Sequence, residues 1–199
     1  MDDLPLTNVS KLAFRNILKA FLFGFSRPIK EMKKYLLFFC SLFLVSSQDT
    51  LGQSFAYKAL LSGIYDRDFP VIYPGNGGLW DQALILDARE KEEFEVSHIK
   101  DARWIGFETF SLRSLQKIPK DRIIILYCSI GARSQEVGKK LREAGFSKVY
   151  NLYGGIFHWV NEGYPVYSRG LKTEKVHAYS TTWGIWLQKG EKVYSKNSK

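Results

Sequence analysis

The run Ile123-Ile124-Ile125-Leu126 is the feature that most restricts how this chain can fold. Four consecutive large aliphatic residues leave no polar face, so the segment suits a strand buried on both sides at the centre of a sheet. It runs through Tyr127 into Cys128, and "CSIGARS" (128–134) then leads into "SQEVGKKLREAG" (134–145). There Val137, Leu141 and Ala144 fall on one helical face and Lys139, Lys140 and Arg142 on the other, while Gly145 supplies the stop. A central strand, a tight turn and a helix are therefore expected to follow one another without a gap, with Ser134 capping the helix.

The rest of the chain beyond residue 55 repeats this alternation. "FPVIY" (69–73) reads as a strand closed by the loop Pro74-Gly75-Asn76-Gly77-Gly78, which lacks the strand-then-helix setting of a phosphate loop. "ALILDARE" (83–90) is a buried strand with a charged end, "KEEFEVSHI" (91–99) a short helix with an acidic opening, and "ARWIGF" (102–107) another strand. "TFSLRSLQKI" (109–118) is predicted helical, Pro119-Lys120-Asp121 a turn, "KVYNLYGG" (148–155) a strand, "IFHWVNEG" (156–163) a helix and "YPVYS" an extended exit. Strands separated by helices at this spacing make a parallel sheet covered on both faces, and the fold class is α/β.

Ligands of such sheets bind beyond the carboxyl ends of the strands, which is where Cys128 falls. Backbone amides of the turn and of the following helix N-terminus are expected to surround its sulfur and stabilise the thiolate. Gly131 lets the backbone curl, and Arg133 is expected to add a positive charge beside the sulfur. The residues Ser129, Ile130, Gly131, Ala132, Arg133 and Ser134 thus form a candidate anion-binding loop around a nucleophilic Cys128. Asp87 and Arg89 end a strand on the same edge and are expected to pair in support of the loop. His98 reads as a turn anchor, Trp159 as core, and His158 and His177 have no Cys or His at metal-ligand spacing, so no metal site is expected.

Three blocks, "LILDAREKEEFEVSHIKDA" (84–102), "CSIGARS" (128–134) and "GFSKVYNLYGGIFHWVNEGYPV" (145–166), together resemble a single rhodanese domain, the sulfurtransferase module. The resemblance covers roughly Phe69 to Val166. It implies a three-layer sandwich around a five-stranded, mainly parallel sheet, and a catalytic cysteine that takes a sulfane sulfur from a donor, holds it as a persulfide and passes it to a thiophilic acceptor. The implied partners are a small sulfur donor and a thiol or cyanide-like acceptor, a thiol protein among the candidates, with no cofactor. One site serving two half-reactions predicts ping-pong kinetics.

Two other readings share this architecture. Cysteine-based phosphatases and arsenate reductases of rhodanese-like fold carry one residue more between cysteine and arginine than the four here, Ser129, Ile130, Gly131 and Ala132. An exported binding module that lost turnover is the other. This loop offers Ser129 and Ile130 where good users of thiosulfate often have a basic residue, so thiosulfate is expected to be a poor donor and Ile130 to give the rim an apolar element. Ser97 stands where the family usually has a glycine before its histidine.

Residues 1–54 carry a targeting signal. From Met32, "MKKYLLFFCSLFLVSSQDTLGQS" has two lysines, an apolar run from Tyr35 to Val45, then small and polar residues, which is the pattern of a secretory signal peptide cleaved after Ser47 or Ser54. The run is short for a membrane span. The alternative is an uncleaved anchor behind an amphipathic "LAFRNILKAFLFGF"; either way the domain is exported. Cys40 lies in that run, so a processed chain keeps only Cys128, an odd thiol in an oxidising compartment. Seven of the basic residues behind the net charge of +9 also precede residue 55, and the basic residues that follow form no stripe interleaved with stacking aromatics, which argues against nucleic acid. At the other end, "GIWLQKGEKVY" (184–194) echoes "FHWVNEGYPVY" (157–167), which predicts a second helix-turn-strand unit with "KVHAYS" (175–180) as an added strand, used as structural coverage or as a docking surface through Trp183, Trp186 and Tyr194. The organisation is then a leader (1–54), a rhodanese-like domain (55–168) and an extension (169–199).

Overall fold

The computed structural model describes residues 55–195, so the expected leader and export signal fall outside the described residues. Strands β1 (Val71–Ile72), β2 (Leu84–Asp87), β3 (Arg103–Trp104), β4 (Ile124–Tyr127) and β5 (Val149–Leu152) form one sheet in the order β1-β5-β4-β2-β3, with every pairing parallel. The aliphatic run supplies the middle strand, Ile124–Tyr127, which is buried at every position. Its side chains alternate between two cores. Ile124 and Leu126 join Leu86, Val137, Leu141 and Phe146 on one face, whereas Ile125 and Tyr127 join Leu152, Ile156 and Phe157 on the other. Both faces are covered, so the fold is α/β, a five-stranded parallel sheet between helical layers.

The connections are the helices α1 (residues 55–64), α2 (Leu79–Gln82), α3 (Lys91–Val96), α4 (Ala132–Glu143) and α5 (Gly155–Asn161). Helix α3 opens with a reciprocal cap, in which Glu90 and Glu93 each accept the other's backbone N–H. Three expectations are corrected. The 109–118 segment forms only a 3-10 turn over Leu112–Leu115, because Ser111 and Ser114 close it with local side-chain bonds. The first strand shortens to two residues, since Pro70 has no N–H to pair and Phe69 turns into the core beside Gly138. Helix α4 begins at Ala132 and not at Ser134, because Gly131, at φ 100°, bends the chain early enough for Gln135 N to reach its carbonyl.

The flanks of the domain build the second core. Helix α1 contributes Tyr57 and Leu61 to it. After the hairpin β6 (Val166–Ser168) and β7 (Leu171–Thr173), the extension forms β8 (Lys175–His177), helix α6 (Thr181–Gly184) and β9 (Glu191–Val193), with β8 and β9 parallel. Val176, Ala178 and Leu187 are fully buried in the same cluster. The internal echo is real in its turns, because Gly163 and Gly190 both sit at positive φ, 90° and 87°, and Val160 and Leu187 both point inward. It differs in its strands, which pair as two small separate sheets and do not extend the main one. Trp186 stacks on Tyr57 and Trp183 packs on the core, so the extension covers α1. Among the described residues no helix is long and apolar enough to cross a membrane.

Candidate active site

Cys128 leaves β4 at the carboxyl edge of the sheet, and the next three residues fold back over it. Gly131 N–H points at the sulfur, 3.1 Å from Sγ. This is the one hydrogen bond to Sγ in the described region, where the sequence predicts a ring of amides. The loop is held from below by α5, whose Ile156 and Phe157 amides donate to the carbonyls of Cys128 (2.9 Å) and Ser129 (3.1 Å). That close approach explains Gly155: at φ 57°, a Cβ there would collide with both carbonyl oxygens. Asn151 braces the other side by donating to Gly131 O at 2.9 Å while accepting from Ser134 Oγ at 2.7 Å. Ser134 is thus a buried strut to β5 and not a helix cap, and Ala132 is the first residue of α4. Sequence reasoning passed over Asn151, although an amide inside an otherwise apolar strand signals a buried polar partner.

Arg133 is not aimed at the sulfur. Its Nη1 and Nη2 form a fork on Glu93, at 2.8 and 3.0 Å, and Nη2 also reaches Ser129 Oγ at 3.1 Å. Ser129 in turn donates to Glu93 at 3.0 Å, which closes a buried triangle. Burial alone would raise the Glu93 carboxyl, but the hydrogen bonds from Arg133 and the charges of Arg133 and Arg89 bring it below its ordinary value. Burial works against the Arg133 charge, and Glu93 with Cys128 outweighs it. The loop's only full charge is therefore matched by a carboxylate. Sequence reasoning missed Glu93, and its spacing of three from the helix-capping Glu90 was the one available signal.

Asp87 and Arg89 do pair, both fully buried, with Arg89 Nη2 2.7 Å from Asp87 and 2.6 Å from the Ser97 carbonyl. They close the 87–99 turn that carries α3, and so support the loop by placing Glu93. His98 pairs its backbone with Tyr167 and stacks on Phe94, an anchoring role, and Trp159 packs in the second core. Ile130 overturns its expectation as a rim residue: it is buried and packs with the cluster that holds Tyr57 and Leu61.

The sulfur itself is covered, with Cys128 only 1% exposed, although it belongs to neither aliphatic cluster. Tyr65, just past α1, lies against the loop: its hydroxyl donates to Ile130 O (2.7 Å) and accepts from Gly154 N (2.7 Å). Tyr57 donates to Gly154 O at 2.9 Å. Burial pushes both phenols well above their ordinary range, and the nearby Cys128 adds to the shift. A cavity of about 250 Å³ beside Tyr164, Lys172 and Lys189 shares no residue with the loop. Among the described residues no cluster of His, Cys, Asp and Glu has metal-binding geometry.

A rhodanese-like domain model matches residues 76–162. The chain is 35% identical over 86 residues to a sulfurtransferase of Allochromatium vinosum, covering 43% of this chain and 79% of that protein. It is 37% identical over 82 residues to a probable adenylyltransferase/sulfurtransferase of Mycobacterium tuberculosis, covering 41% of this chain but only 21% of the relative. A rhodanese-related protein from Thermoplasma volcanium has a crystal structure that aligns at a TM-score of 0.43 and 28% identity, over 50% of this chain and 98% of that one. The chain belongs to the rhodanese-like family.

Proposed function

We propose that the protein is an exported sulfurtransferase that carries sulfane sulfur as a persulfide on Cys128. The observation that carries this reading is the Gly131 N–H held on the sulfur at the end of the central strand, in a chain related to a protein named sulfurtransferase. A backbone donor aimed at sulfur favours both the thiolate and the equally anionic persulfide, so one cradle serves both halves of the cycle. In the first half the Cys128 thiolate attacks the outer sulfur of the donor. The bond from that sulfur to the rest of the donor breaks, S–S in thiosulfate or a thiol persulfide and C–S in mercaptopyruvate, its electron pair leaves with sulfite, a thiolate or the enolate of pyruvate, and Cys128 holds the added sulfur. In the second half an acceptor thiolate or cyanide attacks that sulfur, and the pair of the cleaved S–S bond returns to Cys128. The cycle draws on no metal or organic cofactor.

The pairing of Arg133 with Glu93 bears on the donor. Its hydrogen-bonding edge is taken by Glu93 and Ser129, so a dianion such as thiosulfate has to compete with a carboxylate for it, which supports a persulfide of a thiol, small or protein-borne, as the better substrate. Because Cys128 is closed off in this structure, transfer requires its cover to move, and Tyr65, bonded to the loop at Ile130, is the group to displace. The test is sulfur uptake: the domain incubated with thiosulfate, mercaptopyruvate or a thiol persulfide gains the mass of one sulfur atom, and Cys128→Ser does not. The burial of Cys128 favours a second reading, an exported binding module without turnover, and a wild type that takes up sulfur from none of these donors decides for it. Export rests on the Met32–Ser54 segment and is checked by N-terminal sequencing of protein recovered outside the cytoplasm.

A further inference from the structure

Tyr179 lies beyond the matched domain, yet the extension delivers it to the Cys128 loop. After β8 the backbone turns through Tyr179 at φ 64°, a left-handed conformation that is strained for a bulky residue. Such strain persists only where neighbours impose it. Here Ala178 N–H donates to Val193 O (2.8 Å), Ser180 N–H to Ala178 O (2.8 Å), and Tyr179 N–H to His177 Nδ1 (3.1 Å). With Nδ1 accepting, the imidazole proton is on Nε2, which faces Ser195 Oγ at 2.9 Å, and Ser195 donates to Glu92 on α3 at 3.0 Å. The strained turn is thus tied back to the helix that also carries Glu93.

Its product is a ring over the loop's arginine. The Arg133 guanidinium carbon lies 5.0 Å from the centroid of the Tyr179 ring, while Tyr179 remains 43% exposed. Arg133 is therefore bounded in its plane by Glu93 and Ser129 and on a face by an aromatic ring, leaving its side chain 17% exposed.

We propose that Tyr179 is a specificity-determining residue of the Cys128 site. Its ring withholds the Arg133 face from oxyanions and presents an aromatic wall instead, selecting thiol persulfides over thiosulfate. This rests on the sulfur-transfer reading above.

The experiment compares full-length wild type, Tyr179→Gly and Tyr179→Phe with thiosulfate and with mercaptoethanol persulfide. Glycine adopts positive φ without strain, so it removes the ring and keeps the turn. Tyr179→Gly is expected to lower KM for thiosulfate about two- to fivefold, the size of a partly exposed cation–π contact, with KM for the persulfide unchanged. Tyr179→Phe keeps the ring and behaves as wild type. An unchanged thiosulfate KM in Tyr179→Gly, or equal changes for both donors, overturns the proposal. Phenylglyoxal modification of Arg133, mapped by peptide mass, reads the same roof without turnover: Arg133 is protected in wild type and Tyr179→Phe and modified in Tyr179→Gly. If the wild type takes up no sulfur, the transfer reading fails by itself, and equal modification in all three chains removes the roof as well.

Discussion

Glu93 holds both terminal nitrogens of Arg133, at 2.8 and 3.0 Å, across forty residues of sequence, and Ser129 joins the pair from the loop. Glu93 is 2% exposed, so its removal leaves a largely buried guanidinium without a counter-charge. Glu93→Ala is expected to destabilise the fold by about 3–5 kcal/mol in urea denaturation; a loss under 1 kcal/mol contradicts the assigned geometry.

The same pair sets an acid limit. A carboxyl lowered below its ordinary 4.5 stabilises the fold fully above that pH and loses the contribution as pH falls through its own value in the folded state. Thermal melts from neutral to acid pH should show this limb in wild type. In Glu93→Gln the limb flattens.

The Tyr65 hydroxyl bridges Ile130 O and Gly154 N beside a covered sulfur. Tyr65→Phe leaves both backbone groups without that partner and weakens the cover by about 1–3 kcal/mol. Alkylation of Cys128 by iodoacetamide, followed by mass, should then run several-fold faster than in wild type. An unchanged rate means the route to sulfur does not pass Tyr65.

Gly155→Ala sets a methyl against the carbonyls of Cys128 and Ser129 at a backbone angle that alanine resists. Backbone, not a flexible side chain, must give way. The substitution should cost roughly 2 kcal/mol or more and abolish sulfur uptake while circular dichroism still reports a folded chain.

Removing residues 171–199 is expected to cost the domain its stability. Val176 and Leu187 are fully buried, and each contributes about 1.5–3 kcal/mol by leaving water. The truncated chain should melt well below the full one or fail to refold. A truncated domain that melts like the intact protein makes the extension an ornament.

The parallel sheet was legible because its signals are local. An aliphatic run such as Ile123–Leu126 admits only a doubly buried strand, and the spacing of Val137 and Leu141 places one helix face on the core. Cys128 at the strand end and the Asp87–Arg89 pair followed from the same reading. The sequence by itself determined the layers of the sandwich and the edge on which the cysteine stands. Only the tertiary structure decided that Arg133 turns to Glu93, that Ile130 packs inward, and that Tyr65 and Tyr179 close over the loop. Each of those contacts joins residues separated by tens of positions, and side-chain periodicity reports which way a residue faces within its own element, not which distant partner arrives to meet it.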